Sequence, residues 1–75
     1  MRHYLKKSRI KKKLTQQQMA EKLDISLSYY CQIESGERQK DLDLSIATKL
    51  AEIFNVTVEW IAEQEQRIKN PPMKT

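Results

Sequence analysis

Apolar residues recur along the chain at spacings of three and four, in short blocks divided by polar residues. That period belongs to helices with one buried face. Met19, Ala20 and Leu23 share a face of a helix expected over Gln16 to Leu23. Tyr30 and Ile33, three apart, face inward from a helix running from Leu27 to near Ser35. Leu44, Ala47, Leu50, Ala51 and Phe54 form the apolar stripe of another, roughly Leu44 to Phe54. Leu5 and Ile10 supply the apolar side of a first helix, about His3 to Lys12, otherwise covered by lysines. A fifth runs roughly from Val58 to Lys69, where Trp60 and Ile61 complete the core.

The residues between these blocks have the chemistry of helix ends. Thr15, Ser26, Asp43 and Thr57 each precede a helix and can accept an orphan N–H of its first turn. Gly36 suits the left-handed position after a helix, and Asp24 tolerates it better than most residues. The reading is an all-α fold of five short-linked helices over residues 1–69. Residues 70–75, "NPPMKT", form a frayed tail.

Composition narrows the function. The 75 residues suit one domain, which leaves no room for a lined catalytic cleft beside a core. No nucleophile–base pair, metal cluster or Gly-rich phosphate loop is visible, so an enzyme is discounted and no cofactor is expected. One Cys, Cys31, and one His build neither a disulfide nor a zinc site. A reduced cytoplasmic setting follows, and no apolar run approaches the ~18 residues of a membrane span.

The net charge of +4 is unevenly placed. Residues 1–13 carry seven Lys/Arg and no acid, residues 14–57 sum to −3, and residues 58–75 balance. The concentrated field at one end suits a polyanion; the competing reading is a solvated basic helix face.

Two short helices joined tightly at Asp24–Ser26, the second with a neutral polar face, have the form of a helix-turn-helix. In that motif the second helix enters the DNA major groove. The stretches "LTQQQMAEKLDIS", "SYYCQIESGER" and "IATKLAEIFNVTVEWI" resemble the Cro/repressor-type helix-turn-helix family, also called the xenobiotic-response-element family. The resemblance covers about residues 4 to 62. It implies a transcriptional regulator of double-stranded DNA. It implies phosphate contacts at Gln16 and Ser26, base reading at Leu27, Ser28 and Gln32, and backbone contacts from the loop Arg38, Gln39 and Lys40. Arg9 and Glu34 match a pair that ties helix 1 to helix 3. Tyr29 either reaches a phosphate or covers the seam between helices 2 and 3, and Leu27 either meets DNA or packs on helix 2.

Two departures from the family stand out. Asp24 occupies a turn position usually held by Gly, and the loop at 37–43 is slightly longer and acidic toward its end. No second domain is expected after helix 5. One such domain reads only a few base pairs, so two copies are expected about one DNA turn, ~34 Å, apart. A homodimer through the helix 5 region, using Ile61, Gln64 and Ile68, competes with pairing only on DNA. The expected role is a repressor. The alternative is a protein-interaction module on the same fold, such as an antirepressor with a protein partner.

Overall fold

The computed structural model describes residues 1–38 and 41–69. Five helices follow in order: α1 His3–Lys11, α2 Gln16–Leu23, α3 Leu27–Ser35, α4 Leu44–Phe54 and α5 Val58–Lys69. No strand occurs among the described residues. The expected tail at 70–75 lies outside them, as do Gln39 and Lys40.

The helix starts are set by their caps. Thr15 and Gln18 form a reciprocal capping box: the Gln18 N–H donates to Thr15 Oγ1 at 3.1 Å, and the Thr15 N–H donates to Gln18 Oε1 at 2.8 Å. Ser26 Oγ accepts the Tyr29 N–H at 3.1 Å, Asp43 accepts that of Ser45 at 3.3 Å, and Thr57 accepts that of Trp60 at 2.9 Å. The helix ends turn through the left-handed region at Asp24 (φ 60°), Gly36 (φ 90°) and Asn55 (φ 57°). Lys13 sits there too, at φ 59°, just after α1. Its side chain lacks the short polar group that lets Asp and Asn hydrogen-bond locally in this conformation.

α2 packs on α3 and α4, α4 on α5, and α1 on α3. Leu5, Met19, Tyr30, Ile33 and Leu50 are fully enclosed between them. Three expectations are corrected here. Ile10 is 56% exposed and does not share a face with Leu5, since five residues correspond to about 140° around a helix. Leu44, at the first position of α4, is 70% exposed, and Ile46 is buried on the core stripe. Leu44 instead borders an open groove with Leu42, Val58 and Ala62. Ile61 is 1% exposed and belongs wholly to the core, so it cannot meet a partner. Gln64 is half-buried and lines a concavity beside Tyr4 and Trp60, whereas Ile68 is 42% exposed, bordering a concavity with Met1 and Gly36.

Candidate nucleic-acid interface

The left-handed turn at Asp24 brings α3 across α2, with the Ile25 N–H returning to the Ala20 carbonyl at 3.0 Å. The inward side of α3 buries Tyr30 and Ile33. Its other side exposes Leu27 (41%) and Ser28, with Gln32 half-buried beside them. Ser26, Ser28, Tyr29, Gln32 and Arg38 line one shallow concavity along this side. Tyr29 packs at the edge of the core, and the Arg38 guanidinium lies 5.9 Å over its ring. The Glu37 and Arg38 N–H groups both return to the Gln32 carbonyl, at 2.9 and 3.1 Å. This fold-back through Gly36 places the Arg38 side chain beside the exposed side of α3.

Glu34 locks that helix in place from beneath. Its carboxylate is 3% exposed and gathers donors from three elements. Arg9 Nε donates to Oε2 at 3.1 Å, the Tyr30 hydroxyl to Oε2 at 2.7 Å and Gln16 Nε2 to Oε1 at 3.1 Å. Arg9 also donates to the Leu14 carbonyl at 3.0 Å. One buried carboxylate therefore joins α1, the α1–α2 loop, the first residue of α2 and α3. The expected Arg9–Glu34 pair is present, and Gln16 is an additional member. The Gln16 amide carries two N–H hydrogens, of which this bond uses one.

A second buried ion pair was not legible beforehand. Arg2 and Glu65 meet bidentately, Nε to Oε2 at 2.8 Å and Nη2 to Oε1 at 3.1 Å. Arg2 Nη1 donates to the Ile33 and Arg38 carbonyls at 2.8 and 3.2 Å, and the Tyr4 hydroxyl donates to Glu65 Oε2. The cluster fastens the end of α3 to α5. The partners lie 63 residues apart, and one Arg among seven early cations carries no local signal of burial.

Burial raises the Tyr30 phenol above its ordinary range, and its hydrogen bond to the Glu34 carboxylate adds to the effect. Tyr4 shifts the same way, by burial and then by Glu65. The neutral phenol is the form the fold needs. In the unfolded chain it ionises near pH 10. Stability is therefore fully present below that pH and falls as pH rises above it. Tyr30 contributes a slope of about 1.4 kcal/mol per pH unit. Urea unfolding midpoints between pH 8 and 11 should hold level and then drop. In Tyr30→Phe the alkaline drop should be shallower, and an identical profile would remove Tyr30 as its source.

The helix-turn-helix family model matches residues 5–61, most of the chain. The chain belongs to the helix-turn-helix family. The matched domain is of the xenobiotic-response-element type. The domain is also 38% identical over 65 residues to YqaE of Bacillus subtilis (strain 168), an uncharacterized helix-turn-helix-type transcriptional regulator. That match covers 87% of this chain and 54% of YqaE, so the chain spans about half the length of this curated relative. No solved structure gives a significant match.

Within the helix-turn-helix domain, Ser26, Leu27, Ser28, Tyr29, Gln32 and Arg38 lie along one side of α3. Gln16 stands apart from that concavity, at the start of α2 over Glu34. Its helix start offers free N–H groups and the positive dipole end, which suit an anion.

Proposed function

We propose that this domain, residues 1–69, regulates transcription by binding double-stranded DNA with sequence specificity, with α3 in the major groove. The exposed side of α3 carries the reading. It is short-chained, neutral and able to donate, accept and pack, which is what base edges require. Gln32 pairs with adenine, Ser28 bonds either way, and Leu27 packs on a thymine methyl. Gln16, Ser26, Tyr29 and Arg38 hold the phosphates on either side, and Gln39 and Lys40 would extend that grip. The domain acts in the cytoplasm as a repressor occupying an operator, paired with a second copy. The exposed residues Leu44, Ala62 and Ile68 are the apolar positions near α5 available for such pairing.

Selection from random duplex DNA, followed by titration of the enriched pool at two salt concentrations, tests this reading. A repeated motif with tight binding supports it, and the half-site spacing would report how two copies sit. Absence of any enriched motif would sink it. Gln32→Ala should cost about 1–3 kcal/mol on the selected site and relax one base position. A base preference unchanged at every position would take Gln32 out of the reading set.

A further inference from the structure

On the far side of α1, lysines surround an aromatic floor. Two adjoining concavities meet at Ser8 and Trp60. One is bordered by Lys11 and Lys12 over Phe54 and Val56, the other by His3, Lys7 and Tyr4. Trp60 is half-buried, and Tyr4 meets it edge-on with centroids 5.9 Å apart. Arg9 points to Glu34 on α3, whereas Lys7 and Lys11 lie two residues to either side of it. Two residues correspond to about 200° of helix, so both lysines turn away from α3.

The charges here are uncompensated. No carboxylate lines either concavity, and among the described residues none lies within ion-pair distance of Lys7, Lys11 or Lys12. The Trp60 indole N–H likewise has no acceptor among the described residues, yet it is not sealed from solvent. A basic rim, an apolar aromatic floor and an unused indole donor are the complement of a peptide that mixes carboxylates with apolar side chains. A duplex lying on α3 is separated from this surface by α1 itself, and the apolar floor offers nothing to phosphates.

We propose that the surface formed by Lys7, Lys11, Lys12 and Trp60 docks an acidic, apolar segment of a partner protein. Carboxylates would meet the lysines and the indole N–H, and apolar side chains would lie on Trp60 and Val56. Charge steers such encounters and sets their salt dependence. The proposal goes beyond DNA reading and does not depend on it.

Trp60 is the only tryptophan, so its fluorescence reports the site directly. The test titrates the full chain with a 12-residue peptide alternating Glu and Leu, its Gln–Leu counterpart, and a thymidine 12-mer single strand. The expected result is a saturable Trp60 shift with the acidic peptide, weakened by added salt and at least about tenfold weaker for the Gln version. Lys7→Glu/Lys11→Glu, two exposed positions, should lose that binding by a similar factor while keeping the wild-type thermal melt. Three outcomes would overturn the proposal: no saturable shift, an equal shift in the charge-reversed variant, or tighter binding of the oligonucleotide than of the peptide. The last would mark this face as a nucleic-acid surface.

Discussion

Glu34→Ala is expected to destabilise the domain by about 3–5 kcal/mol, the cost of removing one partner from a buried ion pair. The substitution strands more than one group. Arg9, whose side chain is 12% exposed, keeps its charge without a counterion. The Tyr30 hydroxyl, on a fully buried residue, loses its acceptor, and so does the Gln16 amide. A domain of this size holds only about 5–15 kcal/mol in total, so the loss takes a large share. At roughly 4–8 °C per kcal/mol, the melting temperature should fall by on the order of 15 °C or more. Glu34→Gln keeps the shape and one acceptor oxygen, and should fall between wild type and Ala. Circular-dichroism melts at neutral pH decide the matter. A loss under about 1 kcal/mol would mean that the residue does not organise the fold.

The same hub explains why α3, the proposed reading helix, can carry a short-chained neutral face. The orientation of α3 relative to α1 and to the start of α2 is held beneath the surface, by one carboxylate and its donors. The exposed side of α3 is thereby free of structural duty. Leu27, Ser28 and Gln32 can vary without loosening the helix. On the proposed reading, specificity and stability occupy opposite sides of a nine-residue helix.

Much of this was legible in the sequence because the relevant interactions are local. The caps at Thr15, Ser26, Asp43 and Thr57 act within three residues, and the apolar periods of α2, α3 and α4 each repeat within a few turns. The bounds of α2 to α5 therefore follow from the chain itself. The misplaced residues fail for geometric reasons. Leu44 fits the apolar period of α4 but sits at its first residue, beside an open groove. Ile61 fits two stripes on paper and is consumed by the core. Ile10 is apolar and exposed, and nothing in its spacing distinguishes it except the angle from Leu5. The Arg2–Glu65 cluster joins the two ends of the described chain, and no periodicity connects residues that far apart. For the interface, Arg9, Glu34 and the set on α3 could be named from the resemblance to the family. The share of Gln16 in the Glu34 hub needed the packing of α2 against α3.

Arg2→Met should cost a comparable ~3–5 kcal/mol, because it leaves the enclosed Glu65 carboxylate without its guanidinium, with the Tyr4 hydroxyl as its remaining donor among the described residues. The Glu65 side chain is 10% exposed and has little water to fall back on. The loss should reach the interface as well. Arg2 holds the Ile33 and Arg38 carbonyls, so the segment that turns Arg38 back beside α3 loses its tie to α5. Removing both charges separates the two contributions. A buried pair replaced by apolar residues is often neutral in stability, so Arg2→Met/Glu65→Leu should regain most of what the single variant loses. Urea unfolding of wild type, both single variants and the double variant closes the cycle. If the double variant is as unstable as the sum of the singles, the pair is uncoupled and the cluster does not fasten α3 to α5. If stability returns while affinity for the selected duplex stays low, the guanidinium has a second duty that no apolar pair replaces: holding the Arg38 segment where a phosphate can be reached.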